Sequence, residues 1–493
     1  MSDALRGARA SLLLCSLFAC LMWAFPQSSM ASVADGRIGL SSHLFWLGEA
    51  DVDKELKRMR TGGVDWIRED FRWDLIEPSQ GNFDWRRTDG LMSAAARNDV
   101  NVLAILDYSA RWASSDPSGR GDIHYPPREP ADFARFAGAV AARYGANGAF
   151  WREHPGLPAK PLPAVEMWNE PWGWWFWKSG PDPARYARLA KAGAEAVKAV
   201  APSTKVLISG DLLMLRQNGS ASEWLGPVLD AEPSLRGLVD AYSTHPYPSP
   251  RDRSPLDTSS GPAYRFDRAQ LTHDIAAARQ ADKPIWITEI GWSTAAAVGD
   301  AVTEDTQADY LRLAATSALG KQGVERMFVF GWDRSSGVAG DREGNYGLQR
   351  ADGSMKPAWW AITSIVDNGL PPLPTVIQPT AGDRPPAIAA SSAQASPINR
   401  PVAPTSRARS ASSYRRARIS ARRTCSRAAL RIARRSRARG VRPATVRRSV
   451  RVRVRRCVNR RMIARKRRIA RERARSQPAR QSALAGITAA DGA

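Results

Sequence analysis

The stretch from residue 164 to residue 177 reads Ala-Val-Glu-Met-Trp-Asn-Glu-Pro-Trp-Gly-Trp-Trp-Phe-Trp. A short apolar run ends in Asn169, Glu170 and Pro171, and aromatic residues follow at once. The run has the length and composition of a buried strand. A carboxylate at the end of such a strand, beside indole rings, is a candidate catalytic group. The stretch therefore predicts a strand that carries a functional site at its carboxyl end.

The rest of the chain, from about residue 37 to residue 368, alternates between short apolar runs and longer amphipathic ones, which predicts parallel strands joined by helices. The predicted strands are Arg37–Leu40, Asp65–Arg68, Val102–Leu106, Ala164–Trp168, Lys205–Ser209, Val239–Thr244, Pro284–Thr288 and Arg326–Phe330. The predicted helices are Ala131–Tyr144, Pro183–Val200, Glu304–Leu319 and Met355–Val366.

Eight strands separated by helical segments predict a (β/α)8 barrel over residues 35–370. The alternative is an open, doubly wound sheet, which favours a glycine-rich phosphate loop after an early strand. The first predicted strand is followed instead by Ser41-Ser-His-Leu-Phe-Trp46, which contains no glycine. The barrel is therefore the preferred fold.

The N-terminal residues 1–34 have the layout of a secretory signal peptide. Arg6 and Arg9 precede an apolar run from residue 11 to residue 25, and small residues follow it, with cleavage sites after Ala31 or Ala34. The run is shorter than the ~20 residues of a membrane-spanning helix, although an uncleaved anchor stays open. We therefore expect a protein that is secreted or associated with the cell envelope.

The C-terminal part differs sharply in composition. Residues 371–493 carry 32 Lys and Arg against three acidic residues, whereas residues 1–370 carry 40 against 45. A Pro/Ala/Ser linker at 371–406 and a disordered, basic low-complexity tail at 407–493 are predicted. Such a tail suits anionic cell-wall polymers or a membrane surface, and an export signal argues against nucleic acid as its partner. A solvated extension without a partner, or a miscalled reading frame, stays open.

Two carboxyl groups follow predicted strands in tryptophan-rich surroundings. Glu170 ends the fourth strand and Glu289 follows the seventh, so both lie on the rim where barrels of this kind carry their active sites. Hydrolysis of a glycosidic bond needs one carboxyl as proton donor and one ionised carboxylate. An indole environment suits the donor, and a nearby cation such as Arg68 would keep the other ionised. No metal or organic cofactor is expected.

Two motifs resemble the signature strands of clan A glycoside hydrolases, most closely family 39 and its family 5-like relatives: Trp168-Asn-Glu-Pro171 and Ile287-Thr-Glu-Ile-Gly-Trp292. The segment from Gly62 to Trp85 is also similar to that clan. The resemblance covers residues 37–368 and leaves the basic tail outside. It implies a (β/α)8 fold, β-linked glycan substrates and a retaining mechanism.

The resemblance also implies individual roles. Glu170 becomes the acid/base, and Glu289 becomes the nucleophile. The substrate-binding residues that it implies are Arg68, Asn169, His245, Tyr247, Trp292 and Trp332. Within this set, Asn169 holds a sugar hydroxyl, Arg68 contacts the nucleophile, and Trp332 stacks under the sugar.

Simpler interpretations remain for several of these residues. Arg68 could form an ordinary salt bridge, His245 could be a core histidine, and part of the aromatic run from Trp172 to Trp177 could serve packing alone. A glycan-binding barrel without catalysis, or a surface protein that acts through its basic tail, is the alternative function. The loops at 116–125 and 249–264 are predicted to decide which glycan is used.

Overall fold

The computed structural model describes residues 36–373 except residue 322. The predicted signal peptide, nearly all of the linker and the whole basic tail lie outside these described residues. No helix between residues 36 and 373 is both long enough and apolar enough to span a bilayer.

The described residues form ten strands and eleven α-helices. The strands are β1 Ile38–Ser41, β2 Trp66–Arg72, β3 Asn101–Asp107, β4 Ala164–Met167, β5 Lys205–Ser209, β6 Leu213–Leu215, β7 Ala221–Glu223, β8 Ala241–Thr244, β9 Ile285–Ile290 and β10 Val324–Phe330. The helices are α1 Glu49–Thr61, α2 Trp73–Ile76, α3 Arg86–Arg97, α4 Pro130–Tyr144, α5 Ala149–Glu153, α6 Pro183–Val200, α7 Leu225–Ala231, α8 Leu235–Leu238, α9 Arg268–Ala277, α10 Glu304–Leu319 and α11 Pro357–Asn368. Three 3-10 turns cover Leu44–Trp46, Pro262–Tyr264 and Glu343–Asn345.

Eight of the strands close into a barrel in the order β1-β10-β9-β8-β5-β4-β3-β2. Every neighbouring pair in this barrel is parallel. The predicted (β/α)8 fold is therefore confirmed, and each of the eight predicted strands overlaps a barrel strand. The antiparallel hairpin β6–β7 is an addition that the sequence pattern did not indicate.

The lower interior of the barrel is apolar. One buried side chain from each barrel strand except β1 contributes to it, namely Trp66, Leu103, Ala164, Leu207, Ala241, Trp286 and Phe328. Strand β1 contributes Gly39, where an added Cβ would lie 2.5 Å from the ring of Phe328. The glycine is needed because the aromatic ring occupies the space that its side chain would fill.

Two residues further along several strands, the inward positions become polar. Since side chains alternate along a strand, the step from Trp66 leads to Arg68, the step from Ala164 leads to Glu166, and the step from Trp286 leads to Thr288. All three side chains are buried. The apolar layer below supports this polar layer, which in turn lies below the carboxyl ends of the strands.

The helices pack around the barrel on a second, larger apolar core. Two of the predicted helices, Pro183–Val200 and Glu304–Leu319, have the predicted bounds, and Asp182 and Thr303 cap them by accepting from the backbone N–H groups of Arg185 and Thr306. The last helix begins at Pro357 rather than Met355, because proline is favoured at the first helical position.

Candidate active site

The carboxyl ends of the barrel strands surround a cavity of 450 Å³. Both candidate catalytic carboxyl groups, Glu170 after β4 and Glu289 in β9, line it. One carboxylate oxygen of each lies within 4.8 Å of the other. The cavity is lined by Ser41, His43, Arg68, Asp70, Tyr108, Asn169, Glu170, Trp175, Phe176, Tyr247, Arg251, Glu289, Phe330, Glu343 and Tyr346. The structure therefore brings the two carboxyls together, as their positions at strand ends predicted.

Glu289 is surrounded by hydrogen-bond donors. Arg68 donates from Nη1 to Oε1 at 2.6 Å, and the hydroxyl of Tyr247 donates to Oε2 at 3.1 Å. Burial alone would raise the pKa of Glu289, but the charges of His245 and Arg68 outweigh it and lower the pKa below the ordinary glutamate value. Glu289 is therefore ionised at neutral pH.

Arg68 is a buried hub rather than an ordinary surface ion pair. Besides Glu289, its guanidinium donates from Nε to Glu166 at 2.7 Å and from Nη2 to Oδ1 of Asn169 at 2.9 Å. Because the side chain is 1% exposed, each of these contacts is almost free of competing water. The hub holds Asn169 at the cavity wall and gives Glu166, which the sequence left without a role, the function of a buried counter-ion.

Glu170 is held by two side chains. The indole of Trp175 donates to Oε2 at 2.6 Å, and Nδ1 of His245 shares a hydrogen bond with Oε1 at 2.9 Å. The backbone of Glu170 has φ of 44°, in the left-handed region that ordinary residues rarely adopt. Such backbone strain is common at functional sites, where the surrounding structure enforces it. Trp175 is thus one indole of the aromatic run with a defined contact.

His245 connects the two carboxyls. Its Nδ1 lies 3.7 Å from Oε2 of Glu289, and its Nε2 contacts the hydroxyl of Thr288 at 3.0 Å. Burial alone would lower the pKa of His245, but the charge of Glu289 and the hydrogen bond to Glu170 raise it to about 9. His245 is therefore protonated at neutral pH and holds a proton beside Glu170. This bridge distinguishes His245 from a core histidine.

The same three residues have the spacing of possible metal ligands, with one atom from each within 4.8 Å of the others. His245 already forms a hydrogen bond with Glu170, and the guanidinium of Arg68 is 2.6 Å from Glu289. A cation at this place would be repelled by the guanidinium of Arg68. The arrangement favours a carboxyl pair over a metal centre.

The structure does not place Trp292 and Trp332 at the cavity, although the resemblance implied sugar contacts for both. Trp292 is fully buried and donates to the backbone oxygen of Arg253 at 3.0 Å. Trp332 is 1% exposed, packs edge-on against Trp359 and donates to Glu55 at 2.9 Å. Each indole therefore supports the barrel rim rather than offering a face to a ligand.

The aromatic wall of the cavity combines residues that the sequence singled out, such as Tyr247 and part of the run from Trp172 to Trp177, with others that it did not. Phe330, the last residue of β10, occupies the cavity where Trp332 was expected, and Tyr346 contacts it at 5.4 Å between ring centroids. Tyr108 stacks with Phe176 at 5.4 Å on another part of the wall. Phe330 and Tyr108 end or follow predicted strands, so strand counting offered a signal for them. Tyr346 lies just after a 3-10 turn in a loop, where periodicity gives none.

Family models and solved structures were compared with this chain. Residues 196–360 match a model described as a glycosyl hydrolase catalytic core, and residues 46–106 match one described as beta-galactosidase. No curated protein sequence matches the chain. The fold is similar to that of a family 39 glycoside hydrolase from the gut symbiont Bacteroides cellulosilyticus WH2, with 22% identity and a TM-score of 0.50.

That alignment covers 68% of this chain and 65% of the family 39 structure, slightly less than two thirds of its length. A GH5_18 protein from Bifidobacterium longum subsp. infantis is also similar, with 16% identity, 67% of this chain and 78% of the other covered, and a TM-score of 0.48.

The class of the protein follows from the barrel and the matched segments. Residues 196–360 match the glycosyl hydrolase catalytic core model, and the described residues form a closed, eight-stranded parallel barrel. Its resemblance to clan A glycoside hydrolases is confirmed, and the match supports glycosidase activity.

Proposed function

We propose that this protein is a retaining O-glycosidase that cleaves β-linked glycans, with Glu289 as the nucleophile and Glu170 as the general acid/base. The carrying observation is the separation of the two carboxyl groups, whose nearest oxygens lie within 4.8 Å. Retaining glycosidases have carboxyls ~5–5.5 Å apart, whereas inverting enzymes need ~6.5–9.5 Å to admit a water molecule. The spacing therefore favours direct attack by a carboxylate.

The surroundings of the two carboxyls support different roles for them. Glu289 accepts from Arg68 and Tyr247 and has a lowered pKa, which suits a nucleophile that must be ionised. Glu170 is hydrogen-bonded to His245, whose raised pKa places a proton beside it, and is oriented by Trp175. A carboxyl with access to a proton at neutral pH suits protonation of a leaving group.

The proposed reaction has two steps. In the first, Glu289 attacks the anomeric carbon, the bond to the leaving oxygen breaks, and Glu170 delivers the proton of its pair with His245 to that oxygen. In the second, Glu170 takes a proton from water, the water oxygen attacks the anomeric carbon, and the bond to Glu289 breaks. Two inversions give net retention of configuration. No other reactant is required.

The Glu170→Ala variant tests the acid/base role. For aryl β-glycosides with an acidic phenol, the rate of the first step should be nearly unchanged, because this leaving group needs no proton. For substrates with a poor leaving group, kcat/KM should fall about 10²- to 10⁴-fold. Added azide should restore turnover and give a glycosyl azide of retained configuration, because a small anion can replace the activated water. The measurement is kcat/KM across a series of leaving groups, with the product identified by NMR.

A matched control is Glu343→Gln, which removes another cavity carboxyl that does not touch Glu170 or Glu289. Its effect should be the same for all leaving groups. An equal loss for good and poor leaving groups in Glu170→Ala, or a product of inverted configuration, would contradict the proposed mechanism.

Export and retention at the cell surface extend the proposal. We infer that residues 1–34 direct export and that the basic segment 371–493 holds the enzyme on anionic polymers of the envelope. The support is the charge separation, with 32 Lys and Arg against three acids in that segment. The barrel carries its complete carboxyl pair without this segment.

Deletion of residues 371–493 should leave hydrolysis of soluble substrates unchanged and abolish sedimentation with anionic cell-wall polymer at low ionic strength. Wild-type binding should weaken as salt is added, because the contact is electrostatic. The measurement is co-sedimentation beside kcat/KM for both proteins. Loss of hydrolysis in the shortened protein, or equal binding by both, would contradict the two-part organisation.

A further inference from the structure

Arg251 lies at the wall of the active-site cavity, within the loop at 249–264 that the sequence predicted to decide substrate choice. It also lines an adjoining cavity of 150 Å³, which shares Tyr247 with the main one. The guanidinium carbon lies 4.3 Å from the ring centroid of Tyr247. Since Tyr247 donates to Glu289, this stacking holds the cation beside the proposed nucleophile.

The donors of Arg251 have no acceptor among the described residues. Within residues 36–373, its guanidinium forms no hydrogen bond and no ion pair, and the stacking on Tyr247 is its only direct contact of this kind. The neighbouring arginines Arg68 and Arg268 differ. Arg68 donates to three side chains, and Arg268 donates to the backbone oxygens of Tyr247 and His245 at 2.7 and 2.6 Å. Of these three arginines, Arg251 alone has no acceptor for its N–H groups within the described part of the chain.

The acidic residues near Arg251 do not neutralise it directly. Glu343 lines the same cavity, yet no ion pair joins the two side chains in the described part of the chain. A guanidinium has five N–H donors in a planar fork that matches a carboxylate. A partly enclosed cation without an acceptor is costly unless a ligand supplies one. The missing acceptor therefore points to an anionic group on the substrate.

We propose that Arg251 binds a carboxylate of the substrate, so that the glycans cleaved by this enzyme contain hexuronic acid residues. The acid group belongs to the sugar in the main cavity or to its neighbour in the adjoining cavity, because Arg251 borders both. This inference rests on the proposed glycosidase function and deepens it by naming the substrate class. Neutral glycans leave the fork of Arg251 unpaired and are poor substrates.

The experiment compares acidic substrates with neutral counterparts of the same stereochemistry and linkage. The first arm uses aryl β-glucuronide, β-galacturonide and β-mannuronide, each beside the matching neutral glycoside. The second arm uses β-linked oligouronides and the same oligosaccharides after chemical reduction of their carboxyls. The two arms separate recognition in the main cavity from recognition in the adjoining one. The measurement is kcat/KM for wild type, Arg251→Gln and Arg251→Lys.

The wild type should prefer the acidic member of at least one pair, and Arg251→Gln should lose about 10- to 100-fold on that member, the scale of a hydrogen bond to a charged group. The neutral member should lose less, so the ratio of kcat/KM for the acidic member to that for the neutral member should fall. Arg251→Lys should recover part of the loss, because it keeps the charge but not the fork. The matched control is Arg253→Gln on the same loop, since Arg253 is half exposed and pairs with Asp257 outside the cavity.

Binding supplies a readout that does not need turnover. In a Glu289→Gln background, calorimetry should show that the acidic oligosaccharide binds more weakly when Arg251 is also replaced by Gln. If no acidic substrate is preferred or bound, or if Arg251→Gln leaves the ratio of acidic to neutral substrates unchanged, the inference is overturned. Either result would leave the proposed hydrolysis intact, whereas wild-type turnover by Glu289→Gln would overturn the proposed function itself.

Discussion

The Glu289→Gln variant is expected to lose hydrolytic turnover by about 10⁴-fold or more, the scale seen when one member of a catalytic unit is removed. Glutamine keeps the size of the side chain but cannot attack the anomeric carbon as an anion. It also loses the charge that Arg68 and His245 stabilise. The measurement is kcat on an activated aryl β-glycoside, together with a thermal unfolding curve to confirm folding.

A suitable control is Glu325→Gln, at the start of β10 and therefore at the opposite end of the barrel. Glu325 pairs with Lys205 at 3.0 Å and accepts from Trp286. Its replacement should affect stability without removing catalysis. If Glu289→Gln kept turnover within the range of this control, Glu289 would not be the nucleophile.

The Arg68→Met variant is expected to lower the free energy of unfolding by about 3–5 kcal/mol, the cost of breaking a buried ion network by removing one partner. Methionine fills part of the space but leaves the carboxylates of Glu166 and Glu289 without their shared cation. The measurement is urea denaturation at neutral pH, followed by a rate profile against pH.

The loss of Arg68 should shift the acid limb of the rate profile in a defined direction. Arg68 contributes to the lowered pKa of Glu289, so the stabilisation of this ionised carboxylate is present above its unfolded pKa and is lost as the pH falls through its folded pKa. Without Arg68, the pKa of Glu289 rises, and the acid limb of the rate profile should move to higher pH. If the acid limb did not move, the proposed effect of the Arg68 charge on the pKa of Glu289 would be contradicted.

A second replacement separates the two buried carboxylates. In Arg68→Met/Glu166→Gln, one of the uncompensated charges is removed, so part of the lost stability should return. The shifted acid limb should remain, because Glu289 still lacks Arg68. If the acid limb of the rate profile returned to its wild-type pH as stability was regained, Glu166 rather than Arg68 would set the ionisation of Glu289.

Much of the fold was accessible from local pattern. Short apolar runs separated by amphipathic segments predicted all eight barrel strands, because strands of a parallel sheet are covered on both faces and are rich in apolar residues. Glu170 and Glu289 followed from strand counting, since the carboxyl ends of parallel strands meet at one rim. Arg68 and His245 were accessible for the same reason.

Other features depended on contacts between distant parts of the chain. Trp332 and Phe330 lie two residues apart, yet one packs on Trp359 under the rim and the other faces the cavity. Local sequence does not distinguish them, because the direction of a side chain just beyond a strand depends on how the chain leaves the barrel. The position of Tyr346 depends likewise on a loop without periodicity.

The sequence by itself determined the barrel, the two carboxyl groups and the rim on which they lie. It also indicated the basic C-terminal segment, which lies outside the described residues. Only the tertiary structure decided that Glu166 balances Arg68, that His245 bridges the two carboxyls, and that Arg251 has unused donors beside Tyr247. The physical reason is that periodicity records which side chains are buried, whereas charge pairing depends on distances across the barrel.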